Sequence, residues 1–179
     1  MTMKTLTPIL ISGLMATVTL SGDVLAQSVT GAEARLKERN ITLPSTRAPI
    51  ANFVGAVRVG NLLFVSGVTS RDWEPKGKVG RDLTAEQGYQ AARQAGLYFL
   101  ANVRATLGSL DRVKRVVKVL GMVNSADGFG DQPIVINGFS DLMVEVFGDP
   151  NGKHARSAVG MAGLPGNAPV EVEAVLEVE

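Results

Sequence analysis

An α+β domain, with two helices laid over one face of a mixed sheet, is the fold class this sequence predicts. Three observations carry that expectation. Short β-branched runs alternate with two long helix-patterned stretches, in the order strand, strand, helix, strand, helix, strand, strand. The chain has 179 residues, 45% hydrophobic and 20% charged, which fits one soluble domain able to bury its core without disulfides or a structural metal. Two helices cover one sheet face, and no further segment is left for the other. A bare face, together with an apolar alternation in the last strand that has to be buried, predicts packing on another copy of the chain, hence a homo-oligomer.

Residues 1–26 are set aside from the fold. Lys4 precedes an apolar run over residues 6–20, and the small-residue exit Val24-Leu25-Ala26 leads into Gln27, the three-part pattern of a secretory signal peptide. The run is too short for a membrane helix, which needs about 20 apolar residues. The mature chain is therefore expected to start near Gln27, to be exported to the periplasm and to keep no membrane attachment after cleavage. Residues 27–42 form an N-terminal extension in which residues 31–40 read as a short polar helix, and residues 43–179 form the domain proper.

Leu43-Pro44 and Ala48-Pro49 mark an extended leader. Residues 53–59 and 62–68 are apolar, β-branched strands, joined at Gly60-Asn61, whose tolerance of positive φ makes a tight hairpin. Residues 69–81, with Pro75, Gly77 and Gly80, read as a loop. Thr84 and Gln87 fit a capping box, and the helix behind them runs to about Leu107 with Ala91, Ala95, Tyr98, Phe99 and Asn102 along one face. Gly108 ends it. Residues 113–123 form a long strand, and residues 133–147 a second helix stopped by Gly148-Asp149-Pro150. Residues 155–161 and 170–178 close the sheet. In the last strand Val170, Val172, Ala174, Leu176 and Val178 share one face, with Glu171, Glu173 and Glu177 on the other.

Composition excludes several kinds of chemistry. With no cysteine and one histidine, His154, there is no thiolate nucleophile, no Cys-ligated zinc and no multi-His metal site. Eighteen basic against 17 acidic side chains give a net charge of +1, which does not suit a nucleic-acid binder working through bulk electrostatics. Arg112, Lys114, Arg115 and Lys118 cluster, but no aromatic residues interleave with them to stack bases, so they read as a solvated strand edge. The GDPNGK stretch, residues 148–153, is one residue short of a phosphate loop and is followed by His154 where Ser or Thr would hold magnesium; it reads as a turn. His154 near Ser157 has no third partner for a nucleophilic triad and is expected as an exposed loop histidine. No metal or organic cofactor is expected. The chemistry has to come from carboxylates, arginines, hydroxyls or backbone.

The closing third carries the most specific pattern. Ala155-Arg156-Ser157-Ala158-Val159, then Leu164-Pro165, then Val170-Glu171-Val172-Glu173-Ala174, resembles the signature of the RidA family, also called YjgF. Phe64-Val65-Ser66-Gly67 is similar to the family's hairpin strand ending in Ser-Gly, and Asn137 in the second helix adds to the match. The resemblance spans residues 43–179. It implies a chorismate-mutase-like fold, a homotrimer and a site in each cleft between subunits. It further implies hydrolysis of reactive 2-imino or 2-enamino acids to 2-keto acids and ammonia. By the same resemblance Arg156 and Glu171 are catalytic, Glu171 handling the water, and the backbone of Ala158 contacts the ligand. Phe53, Ser66, Gly67 and Asn137 fall on pocket-lining positions, Phe53 standing where many active members carry tyrosine.

These residue types suit that reaction. A planar carboxylate on a small substrate can be gripped by Arg156 through two parallel charge-assisted hydrogen bonds, a geometry that lysine cannot reproduce. Hydrolysis of C=N needs a water deprotonated as it attacks and a nitrogen protonated as it leaves, and one carboxyl group of tuned pKa serves both steps in turn. Plainer roles stand beside these: Arg156 in a salt bridge, Glu171 as one more member of a solvated Glu face. Three function classes fit the sequence. They are an imine or enamine deaminase, a non-catalytic binder of small carboxylates in the same clefts, and a chaperone-like protective protein working through the trimer surface.

Overall fold

The computed structural model describes residues 31–48 and 51–179, so the expected signal peptide lies outside the described residues. Three helices and five strands follow in the order α1 (Ala32–Glu38), β1 (Ala56–Val59), β2 (Leu62–Thr69), α2 (Ala85–Leu107), β3 (Val113–Asn124), α3 (Gln132–Phe147), β4 (Ala155–Met161) and β5 (Val170–Val178). The strands form one mixed sheet in the order β1-β2-β5-β3-β4, with β3 and β4 parallel and the other neighbours antiparallel. This is the α+β arrangement that the sequence predicts, with α2 and α3 together on one face and α1 packed beside α3.

Local chemistry sets the boundaries. Gly60 turns the β1–β2 hairpin at φ 59°, as its sequence suggests. At the start of α2 the capping box forms in both directions: Gln87 N–H donates to Thr84 Oγ1 at 3.2 Å, and Thr84 N–H donates to Gln87 Oε1 at 2.9 Å. Gly108 closes the helix in the left-handed region at φ 85°. The first strand is shorter than expected. Residues 53–55 are not in it, because Val54 and Gly55 spend their carbonyls on the Ser66 hydroxyl and the Ser66 N–H in an irregular crossing rather than on a ladder.

The two long helices meet at glycine. A Cβ on Gly138 would strike the Tyr89 carbonyl and lie 2.9 Å from its carbon, so α2 and α3 approach as closely as backbones allow. A bidentate Arg93–Glu145 pair at 3.1 and 2.7 Å and a Tyr89–Asp141 hydrogen bond at 2.9 Å clasp the outer side of that crossing. Beneath it, Phe99 and Phe139 make an edge-to-face pair with centroids 5.2 Å apart, in one cluster with Leu63, Val119 and Leu176.

The apolar side of β5 is covered within the chain. Val170, Val172, Ala174, Leu176 and Val178 are buried in the core on the helix-covered face, where α2 packs on β5, so their alternation does not call for a second copy, contrary to the expectation. The uncovered sheet face is the one carrying Glu171, Glu173 and Glu177, together with exposed Val57, Phe64 and Val159.

Candidate functional site

Arg156 is the second residue of β4, paired with Val119 of β3, and its side chain runs back along α3. Nη1 donates to Asn137 Oδ1 at 2.9 Å and to Ser140 Oγ at 3.0 Å, and Nη2 donates to the Pro133 carbonyl at 3.3 Å. A guanidinium has five N–H donors. The Nε proton and one on Nη2 are left over. Arg156 is thus held from behind by neutral oxygens of one helix, makes no salt bridge among the described residues, and keeps a pair of donors for an incoming carboxylate.

The support continues one residue further. Ser140 Oγ lies 3.1 Å from His154 Nε2, while His154 Nδ1 lies 2.7 Å from the Gly152 carbonyl. Since a carbonyl only accepts, Nδ1 carries the proton, Nε2 accepts from Ser140, and the Ser140 oxygen stays free for Arg156. Burial holds the His154 pKa below its ordinary value, and the nearby Arg156 charge acts in the same direction. His154 is therefore half-buried and neutral, not the exposed loop histidine expected, because the turn after α3 folds it back against Phe139. Ser157 takes no part; its hydroxyl accepts from Lys118 Nζ at 3.0 Å on the opposite sheet face.

The second group lies on β2 and β5. Glu171 pairs with Thr69 on one side and Met122 on the other, on the uncovered face. Its carboxyl sits against Gly67: a Cβ there would overlap Glu171 Oε1 and come 3.1 Å from Cδ. Gly67 is in the irregular step of β2 between Val65 and Val68, and lacking a side chain it leaves the space the carboxyl fills. Burial, and then repulsion from Glu173, push the Glu171 pKa above its ordinary value. Ser66 next door spends its hydroxyl proton on the Val54 carbonyl at 2.6 Å, pinning the segment that carries Phe53.

Phe53, Ser66 and Gly67 line a cavity of about 620 Å³ between the leader, β2 and α2. Arg47, Arg71 and Asn102 line it too, and sequence reading did not single them out for chemistry. No periodic signal marks the two arginines, which sit in irregular segments. Asn137 and Ser140 could have been paired, since three residues apart on a helix they share a face.

The structure thus gathers the expected residues into two sets. Asn137, Arg156 and Ala158 lie at the β4 edge, and Phe53, Ser66, Gly67 and Glu171 lie around β2. Within one chain Arg156 faces α3 whereas Glu171 is on the uncovered side of the sheet. Strands β3 and β5 separate β4 from β2, a distance of roughly 14 Å at normal strand spacing. Among the described residues no three His, Asp or Glu side chains gather as a metal-holding group, and no helix is long and apolar enough to cross a membrane.

Comparison with known proteins places this architecture in a family. The profile described as "YjgF/chorismate_mutase-like, putative endoribonuclease" matches residues 33–177. The chain belongs to the YjgF family, which includes the RidA proteins. Among curated proteins it is 45% identical to Protein TCP17 of Trypanosoma cruzi over 147 residues, covering 80% of this chain and 92% of that one. It is 33% identical to the 2-iminobutanoate/2-iminopropanoate deaminase of Dermatophagoides farinae over 144 residues, covering 79% and 98%. Among solved structures, the protein Atu1372 of Agrobacterium tumefaciens superposes with a TM-score of 0.73 at 42% identity, covering 82% of this chain and 91% of that one.

Proposed function

We propose that the protein hydrolyses 2-imino or 2-enamino acids to 2-keto acids and ammonia, in a site completed by a second copy of the chain within a homotrimer. The observation that carries this reading is the Arg156 guanidinium, fixed by three oxygens of α3 with two donors to spare. The substrate carboxylate takes those donors, which orients the neighbouring C=N carbon. Water attacks the carbon of the protonated imine as Glu171 accepts one of its protons, giving a neutral carbinolamine. Glu171 returns that proton to nitrogen, and the C–N bond breaks with its electron pair leaving on ammonia while the hydroxyl proton passes back to the Glu171 carboxylate and the O–H electron pair closes the carbonyl. A carboxyl of raised pKa suits both transfers near neutral pH. An enamine enters by protonation at carbon, which converts it to the imine.

Arg156 and Glu171 lie on opposite sides of one sheet, so a second copy has to bring the Arg156 edge of one chain to the Glu171 face of another. The exposed apolar side chains Val57, Phe64 and Val159 on the same sheet face as Glu171 suit that contact. Export to the periplasm, with a mature start near Gln27, belongs to the same reading and is supported by the pattern of residues 4–26. The relative from Dermatophagoides farinae supports the activity. Phe53 offers a ring without a hydroxyl at the pocket, which favours a second reading, carboxylate binding without turnover.

An amino-acid oxidase generating imino acids in situ, with a nucleophile trapping whatever imine survives, tests the proposal. Added protein should shrink the trapped fraction in proportion to its concentration. Binding of 2-keto acids with no effect on trapping would select the non-catalytic reading instead.

A further inference from the structure

The cavity beside Gly67 is larger and more basic than a short imino acid requires. Its volume of about 620 Å³ equals that of roughly twenty liquid waters, several times what a four-carbon substrate fills. Its lining includes Arg47 and Arg71 and no carboxylate, with Asn102 and the hydroxyls of Thr69 and Thr106 adding polar groups.

Arg71 is the residue without an explanation. Its guanidinium stacks over the Tyr98 ring at 4.5 Å, yet among the described residues it makes no salt bridge, and its Nε is buried with no hydrogen-bond partner. The neighbouring acid is already engaged: Asp72 accepts from the Tyr98 hydroxyl and lies 3.8 Å from Arg47. A planar fork fixed by stacking on a ring is preorganised for a carboxylate.

We propose that this cavity receives the substrate's side chain and that Arg71 selects substrates ending in a second carboxylate. The assignment rests on the deaminase reading for the first carboxylate, at Arg156, and extends the same site to dicarboxylic 2-imino acids and their 2-keto products. Arg71 acts on specificity, at the end of the ligand remote from the reacting carbon.

Calorimetric titration of the full-length protein with two stable keto acids tests it, 2-oxobutanoate as the monocarboxylate and 2-oxoglutarate as the dicarboxylate. The wild type should bind 2-oxoglutarate at least tenfold more tightly. Arg71→Gln should bring the ratio of dissociation constants to about one, and Arg71→Lys, which keeps charge but not the fork, should lower it several-fold. A wild-type ratio near one overturns the proposal, as does a ratio unchanged in a folded variant; Arg71→Lys serves if Arg71→Gln does not fold. A preference that depends on Arg71 with no imine hydrolysis would sink the deaminase reading and leave the acidic-ligand pocket standing. Hydrolysis of 2-iminobutanoate with no preference would do the reverse.

Discussion

Replacing Gly67 by alanine separates stability from catalysis at this site. The new methyl group would overlap Glu171 Oε1 and fall 3.1 Å from its Cδ, inside the 3.4 Å at which ordinary contact begins. Gly67 needs no left-handed backbone, and the obstructing atom is the free end of a flexible side chain, so the carboxyl swings away by roughly 1 Å or changes rotamer. A χ angle pushed about 30° off its staggered well costs about 0.5–1.5 kcal/mol. Against that, alanine gains roughly 0.4–1 kcal/mol by restricting the unfolded chain. The terms nearly cancel, leaving a melting temperature within about 4 °C of wild type for a domain of this size.

Activity has no such compensation. A misplacement of about 1 Å in the group that moves the proton costs on the order of a hundredfold in rate. Thermal unfolding followed by circular dichroism, with imine-trapping kinetics on the same preparation, reads both quantities. Gly138→Ala is the contrasting control: its methyl meets the Tyr89 backbone, which cannot swing aside, so about 1–3 kcal/mol of stability should be lost through overpacking. Gly67→Ala that melts normally and keeps wild-type kcat/KM would show that the carboxyl position beside Gly67 does not matter to the reaction. A loss of stability as large as that of Gly138→Ala would show that Glu171 is not free to move.

Four further outcomes follow from the same geometry. Arg156→Lys should lose nearly as much kcat/KM as Arg156→Ala, at least about a hundredfold, because an ammonium keeps the charge and drops the two-point grip; steady-state kinetics decide it. Glu171→Gln should bind 2-keto acids in calorimetry yet fail to protect against trapping, since an amide cannot take the proton from water. The same variant should alter the pH dependence of stability. Glu171 has a raised folded pKa, so the native protein holds this proton more tightly than the unfolded chain, and stability falls as pH rises from the ordinary Glu value of 4.5 through the raised one; urea midpoints measured across that window should lose this fall in Glu171→Gln. His154 has the opposite sign: its lowered folded pKa means stability falls as pH drops below 6.5, and His154→Gln should remove that part of the decline.

Much of the fold was legible because it rests on local rules. The capping box of Thr84 and Gln87, the Gly60 hairpin and the strict alternation of β5 each fix structure within a few residues, and each forms as read. The third strand shows where such reading stops. Its first half buries every third residue, Val113, Val116 and Val119, because register shifts against β5 insert extra residues, and a continuous β-branched run gives no sign of where those fall. The meaning of the β5 alternation was misjudged for a related reason. Alternation reveals that a strand has an apolar side, but whether helices of the same chain or another subunit cover it depends on packing between distant segments.

The candidate site divides along the same line. Arg156 and Glu171 were visible through a linear pattern, whereas their functional states are set by groups far away in sequence. Arg156 owes its orientation to Asn137 and Ser140, 19 and 16 residues earlier, and Ser140 is in turn fixed by His154. Glu171 owes its raised pKa to burial on β5 and its space to Gly67 on β2. His154 shows how one structural fact changes the reading of a residue: alone in the sequence it had no catalytic partner, and beside Ser140 it becomes an acceptor that frees the serine oxygen for Arg156. Its neutral form is the one that works, because a protonated Nε2 could no longer accept from Ser140 and would place a positive charge near the guanidinium. In the proposed reaction the anchor for the substrate carboxylate would therefore be secured by a chain of neutral groups, Asn137, Ser140 and His154.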